Sequence, residues 1–483
     1  MTAEKLLNQV LNKARTFGFL PKNNGRVIDE PKGNSILRNN LLDLSFNDGS
    51  AYFGILNAEE ETAGPYSDFS FVVFPDSKTD VSTCVVCLGV GSSGFRNDYQ
   101  LASLPGLRRT FLKLKTDDNT TFFKTSFDDI ESSSSDLVNE IRKNYEKLRS
   151  VIESYKTVLP ASRIVDFTTI SEEDALDIIY TWLATYAKMR SWGNASQKRE
   201  IEKQLSKIPS PNPPNEEDEI KALLKSRKYI VLQGAPGTGK TFTALNISKD
   251  YSKVFFEQFH AETNYSDFVF GLEPNTEKSD DQAQFKPKEG VLYKAIKYAK
   301  ENSDKNVLLI IDEINRANLS NVLGPVFFLF EYQTGRRSVN IRIGNEEIDK
   351  LPENINVIAT MNTADRSLAV VDFALRRRFA WYTLRPHKII PEAGFKFMET
   401  TFNKFADIFF EYATDDELNL QPGQSYFIVQ KGTKEIEKEE MKVRLIYELM
   451  PLIKEYLAEG FLLKAKDSFC DLFLKETERL MYE

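Results

Sequence analysis

The sequence predicts an α/β module built on a parallel sheet and closed by a helical lid, preceded by an α+β N-terminal domain and a helical bridge. Three observations carry that expectation. Near mid-chain the apolar run Tyr229-Ile230-Val231-Leu232 leads into Gly234-Ala235-Pro236-Gly237-Thr238-Gly239-Lys240-Thr241, after which residues 242–249 show helical spacing. A further apolar run, residues 307–311, leads into two acids, and residues 355–360 read as a third strand that ends in Met361-Asn362, as buried parallel strands do at the edge where a site forms. Finally, Ile208-Pro209-Ser210-Pro211-Asn212-Pro213-Pro214-Asn215, followed by Glu216-Glu217-Asp218-Glu219, is rich in proline and acid, which reads as an exposed connector dividing the chain.

Ahead of the connector, Leu6, Leu7, Val10, Leu11 and Ala14 mark an opening amphipathic helix, and residues 51–56, 69–74 and 83–90 read as strands. Apolar residues recurring at three and four predict helices over residues 137–155 and 175–186. The expected division is 1–165 for the α+β domain, 166–207 for the bridge, 208–218 for the connector, 219–386 for the α/β core and 387–483 for the lid. Cys84 and Cys87 sit in a strand-like run with no second pair and only two histidines in the chain, so they read as buried packing rather than a metal or redox site. Gly89-x-Gly91-x-x-Gly94 lacks a following helix pattern and reads as a turn; Ser132 to Ser135 read as a loop.

The 483 residues, 41% of them hydrophobic, suffice for several buried cores. No apolar stretch approaches the ~18 residues that cross a bilayer, and the first residues lack the apolar core of a signal peptide, which predicts a cytoplasmic chain without membrane contact. Three cysteines cannot build a disulfide framework and agree with a reducing compartment. A net charge of −8 argues against a uniformly basic nucleic-acid coat but leaves a local basic groove open.

The glycine-rich octapeptide fits G-x-x-x-x-G-K-[ST] between a strand and a helix. Its glycines let backbone N–H groups converge on phosphates, Lys240 reaches the terminal phosphates, and Thr241 offers a hydroxyl to Mg²⁺. The implied ligand is a nucleoside triphosphate. Asp312 and Glu313, delivered by the run 307–311, suit a magnesium-holding carboxylate and an acid that orients or deprotonates the attacking water. Asn362, at the end of the third run, can reach the γ-phosphate and that water, or else cap the strand-end turn. Arg376, Arg377 and Arg378 follow a short helical run and cannot all face one way; some are expected to point across a subunit boundary, the alternative being a solvated basic patch.

Beyond these motifs, Gln258-Phe259-His260, Tyr265-Ser266-Asp267-Phe268-Val269, Ile310 to Asn318 (I-I-D-E-I-N-R-A-N), Met361 to Ser367 (M-N-T-A-D-R-S) and Ala374 to Phe379 resemble the McrB branch of the AAA+ superfamily. Gly423-Gln424-Ser425-Tyr426-Phe427 resembles the family's G-H-S-Y-F in the lid, so the resemblance covers roughly residues 219 to 460. It implies a ring, usually a hexamer, with GTP or ATP and Mg²⁺ at each subunit interface. It carries Asn362, Asp365 and Arg366 over as signature-loop residues, and Arg377 and Arg378 as trans-acting arginines. It further implies a McrC-like nuclease and activator subunit, with DNA met by the N-terminal region.

The sequence departs from the family at Gly324-Pro325-Val326, where Gly-Glu-Leu is common, and at Gln424, where a histidine is usual. A role assigned to that glutamate does not transfer. The N-terminal region shows no match to the family's methylcytosine-flipping domain, which leaves a MoxR-like remodeller of a protein client as the alternative. GTP over ATP rests wholly on the resemblance, because phosphate loops read triphosphates and not bases.

Overall fold

The computed structural model describes residues 1–21, 33–58, 69–89, 105–115, 120–123, 139–140, 143–145, 148, 161–208, 215–275, 284–331, 340–364 and 373–482. Gly91 and Gly94, Ser132 to Ser135, most of residues 137–155, the prolines of the connector, and Asp365 and Arg366 lie outside them. The chain divides into two compact units, Met1–Pro211 and Asn212–Glu483.

In the first unit the strands β1 (Ser35–Asn40), β2 (Tyr52–Asn57), β3 (Ser70–Pro75), β4 (Thr83–Gly89), β5 (Thr121–Phe123) and β6 (Ala161–Asp166) form one sheet. Its order is β1-β2-β3-β4-β6-β5, with every pairing antiparallel. Alternate residues of a strand face opposite sides. Phe53, Ile55, Phe71, Val73, Cys84 and Val86 therefore meet Leu6, Val10, Leu11 and Ala14 of the helix Ala3–Thr16 in one core. Leu56, Val72, Phe74, Val85, Cys87 and Ile164 fill a second, smaller cluster. The two cysteines, three apart, are thus buried on opposite faces. Residues 166–207, which the spacing assigns to a helical bridge, contribute Ala175, Ile179, Trp182 and Ile201 to the first of these cores.

The second unit opens with the helix Glu216–Arg227, which corrects one expectation: the acidic run is not connector but first turn. Four carboxylates beside the exposed N–H groups of a helix start favour helix over coil. Strands β7 (Tyr229–Gly234) and β8 (Lys253–Gln258) precede a hairpin of β9 (Phe270–Pro274) and β10 (Phe285–Glu289). Then come β11 (Val307–Asp312), a small hairpin of β12 (Ile341–Ile343) and β13 (Glu346–Ile348), β14 (Ile355–Asn362) and β15 (Ala380–Thr383). Five of these make a parallel sheet in the order β15-β7-β14-β11-β8. β11 is buried along its whole length and β14 nearly so, as apolar strands covered on both faces should be.

After β15 the chain becomes mostly helical. Helices Glu399–Tyr412, Lys434–Arg444, Met450–Ala458 and Lys466–Thr477 gather Phe405, Phe409, Phe427, Phe469 and Phe473 into a core of their own, beside the short pair β16 (Phe395–Phe397) and β17 (Ile428–Gln430). At the departure from the family pattern, the helix Leu319–Leu323 gives way to a tighter 3₁₀ segment, Gly324–Phe330, with Pro325 in its first turn. Proline lacks the N–H that would continue the α-helix. No helix among the described residues is long and apolar enough to cross a membrane.

Candidate phosphate-binding site

The C-terminal ends of β7, β14 and β11 lie side by side, so three separate stretches of sequence meet at one edge of the sheet. From β7 the chain turns through the glycine-rich loop into the helix Lys240–Ser248. Gly237 and Gly239 adopt φ of 78° and 85°, the left-handed region that a side chain disfavours, which is why glycine stands at both. Lys240 is buried at 8% exposure, and its Nζ donates to Gly234 O and Ala235 O at 3.0 Å each. The ammonium is folded back on its own loop.

Thr241 and Asp312 come together as the sequence predicts. Thr241 Oγ1 donates to Asp312 Oδ1 at 2.7 Å. A hydroxyl and a carboxylate in contact, with Asp312 only 6% exposed, make a hard-oxygen pair of the type that suits magnesium, so the donor set fits that ion. A third participant was not foreseen. Thr360, the last residue of the run 355–360 in β14 and 1% exposed, donates to the same Asp312 Oδ1 at 2.7 Å and accepts from Glu313 N at 3.0 Å. One hydroxyl therefore sets both acids of the pair. The signal in the sequence was a threonine within an otherwise apolar strand core, but its target becomes visible only once β14 is known to pair with β11.

Glu313 itself has φ 54° and ψ 49°, a left-handed conformation that costs a non-glycine residue about 1–2 kcal/mol. Its carboxylate pairs with Arg316 Nε at 3.5 Å. Asn362 pairs in register with Gly234, which puts it beside the start of the phosphate loop. Its Oδ1 accepts from Ala364 N at 3.2 Å, the strand-end cap weighed as the alternative to a sensor, and its carbonyl accepts from buried Asn315 Nδ2 at 3.5 Å.

Arg377 and Arg378 stand apart from this group. Arg377 Nη2 lies 2.7 Å from Glu331 Oε1, and Arg378 Nη2 pairs with the same oxygen while its guanidinium lies 5.4 Å from the Phe327 ring centre. Arg376 covers Trp381 instead, at 5.1 Å. The three cations thus do not all face one way: Arg377 and Arg378 converge on Glu331 while Arg376 turns to Trp381, and Arg377 is the more open of the two Glu331 partners at 73% side-chain exposure against 13% for Arg378.

The lid also reaches the loop. Gly423 N donates to Pro236 O at 2.8 Å, Ser425 N to Gly237 O at 3.1 Å, and Gln424 Nε2 to Thr238 O at 2.9 Å. Tyr426 packs over Gly237, and burial pushes its hydroxyl up from the ordinary tyrosine range.

Comparison with known proteins agrees with this arrangement. Residues 229–379 match the family model of the AAA domain, dynein-related subfamily. The Type IV methyl-directed restriction enzyme EcoKMcrB subunit of Escherichia coli (strain K12) is 34% identical over 267 residues, 50% of this chain and 57% of that protein. The Type II restriction enzyme BsuMI component YdiS of Bacillus subtilis (strain 168) is 32% identical over 151 residues, 29% of this chain and 42% of that protein. This chain thus spans about half the length of the curated relatives it matches. Among solved structures, NtrX of Brucella abortus aligns with 12% identity and a TM-score of 0.26 over 56% of this chain and 58% of that one, too slight a likeness to add to the argument. The parallel sheet, the phosphate loop, the acid pair and the matched segments together identify the chain as a McrB-like AAA+ protein.

Proposed function

We propose that this chain is the nucleoside-triphosphate-hydrolysing motor of a McrBC-like restriction and antiviral complex, with GTP as its fuel. Residues 1–165 would recognise DNA, the helices of 166–207 would link that domain to a connector that ends before the helix starting at Glu216, and the chain from that helix to 386, with 387–483, would form the nucleotide-binding core and lid. The working unit is a cytoplasmic ring, a hexamer, joined by a McrC-like nuclease subunit that cuts the DNA. The observation that carries the motor reading is the Thr241, Asp312, Thr360 and Glu313 constellation. Likeness to the EcoKMcrB subunit supports the restriction setting.

The chemistry follows from the residues. Lys240 exchanges Gly234 O and Ala235 O for the β- and γ-phosphate oxygens, and loop N–H groups hold the rest of the chain of phosphates. Magnesium, held by Thr241 and Asp312, would neutralise phosphate charge. Glu313 takes the proton from a water whose oxygen bonds to the γ-phosphorus as the bond to the bridging oxygen breaks, and the nucleoside diphosphate leaves. Asn362 orients that water, Asp365 and Arg366 belong to the signature loop, and Arg377 or Arg378 of a neighbouring subunit meets the transition-state charge.

The test is hydrolysis of GTP and ATP side by side on the full chain, with Lys240→Ala and Glu313→Gln. Lys240→Ala should lose nucleotide binding. Glu313→Gln should keep binding and lose about 10² to 10⁴ in turnover, the usual contribution of a positioned base. Full turnover by Glu313→Gln would overturn the assignment.

A further inference from the structure

The carbonyls of Gly234 to Thr238 each have a donor: the first two accept from within the loop and, at Gly234, also from Thr363 N just past β14, while the other three accept from the lid. Gly234 O and Ala235 O accept from Lys240 Nζ. The next three, Pro236 O, Gly237 O and Thr238 O, accept from Gly423 N, Ser425 N and Gln424 Nε2 of the lid. A trans peptide is planar, so its C=O and the following N–H point in opposite directions. Fixing those three carbonyls fixes the direction of the Gly237, Thr238 and Gly239 N–H groups, in the loop that must cradle phosphate oxygens.

The contact is built for close approach. A Cβ added at Gly423 would lie 2.0 Å from Gly237 C and 2.2 Å from Thr238 N, and one at Gly237 would lie 2.4 Å from Ser425 Oγ. Only two glycines allow the backbones to meet. Between them Gln424 is buried at 7% exposure, and its carboxamide nitrogen is the only side-chain donor in the set of three.

We propose that lid residues 423–425 orient the phosphate loop for nucleotide binding, with Gln424 as the positioning residue. This rests on the reading of the loop as a triphosphate site. A phosphate that accepts an N–H polarises the peptide and strengthens its carbonyl as an acceptor, so nucleotide binding and lid docking reinforce one another. Linkage requires the effect to be reciprocal: whatever the docked lid adds to nucleotide affinity, nucleotide adds to lid docking.

The experiment uses the full chain and N-methylanthraniloyl-labelled GTP and ATP. Gln424→Met keeps the side-chain length without a donor, and Gln424→His restores an N–H. The expected result is a Kd raised about five- to tenfold in Gln424→Met, the loss of one buried hydrogen bond, with kcat at saturation within twofold of wild type and affinity recovered in Gln424→His. In unmodified protein, hydrogen exchange at Gly423 and Ser425 amides should slow when unlabelled nucleotide is added, a readout that needs no variant to fold. Unchanged exchange at those amides with nucleotide bound, or a Gln424→Met Kd within twofold of wild type, overturns the proposal while leaving the triphosphate site standing. Failure of the wild-type chain to bind either nucleotide overturns both.

Discussion

Replacing Thr360 by valine removes one oxygen and changes the shape of the strand least, so its effect measures what that hydroxyl does. Thr360 is 1% exposed, and its hydroxyl donates to Asp312 Oδ1 at 2.7 Å and accepts from Glu313 N at 3.0 Å. Valine fills the same space, so no cavity term enters. Two polar losses remain: a hydrogen bond to a carboxylate, about 1.5–3 kcal/mol, and a buried N–H left without its acceptor, about 1–3 kcal/mol. Because one hydroxyl serves both and Asp312 keeps Thr241, the terms overlap, and the net loss should be about 2–4 kcal/mol. For a unit of this size, that lowers the melting midpoint by about 5–10 °C. Turnover should suffer as well, since Glu313 sits in a left-handed conformation with its amide held by that hydroxyl; a loss of about 10- to 100-fold in kcat corresponds to one or two steps of 1.4 kcal/mol. Scanning calorimetry and a hydrolysis assay on Thr360→Val and Thr360→Ser decide it, serine being expected to recover most of both. A Thr360→Val chain that melts within about 2 °C of wild type and turns over within twofold would refute the claim that this hydroxyl sets the acid pair.

The remaining predictions concern the arginines and the cysteines. Mixing an Arg377→Ala, Arg378→Ala chain with a Lys240→Ala chain should restore part of the hydrolysis, because an intact loop of one then faces intact arginines of the other; mixed rings seen by native mass spectrometry without recovery at any ratio would put the arginines to work within their own subunit. Burial pushes the thiols of Cys84 and Cys87 well above the ordinary cysteine range, with nearby Asp76 adding to the effect at Cys84, so neither ionises near neutral pH. An aromatic disulfide reagent at pH 8 should therefore modify at most the half-buried Cys470 in native protein and all three thiols after denaturation, and rapid modification of all three in the native chain would contradict the buried placement.

What could be read from the chain was whatever chemistry is local. The octapeptide from Gly234 to Thr241 carries its own strand, turn and helix cues, and Asp312 and Glu313 follow an unbroken apolar run, so loop and acids were legible as they stand. Thr360 was not, because its meaning depends on β14 lying between the other two strands, a fact of pairing and not of spacing. The carbonyls held by Gly423, Gln424 and Ser425 are likewise about 190 residues away from their donors, and G-Q-S-Y-F announced only a family likeness. Proline and acid together suggested one continuous connector, yet carboxylates beside a helix start are stabilising, so Glu216 opens a helix. That the three arginines do not all face one way followed from helical geometry, whereas the Glu331 shared by Arg377 and Arg378 could not be read from a position 46 residues before Arg377.

With β14 inserted between β7 and β11, the main chains of the strands that lead into the phosphate loop and the acid pair stand two inter-strand steps apart, about 9–10 Å, and the Thr241 side chain closes that interval onto Asp312. That interval is ruled by main-chain spacing, which no side-chain substitution can stretch or shorten. Side chains on either bank of the cleft can therefore change while the strand spacing stays constant; a different width demands another strand order, because sliding a strand along its own axis alters register and not lateral spacing.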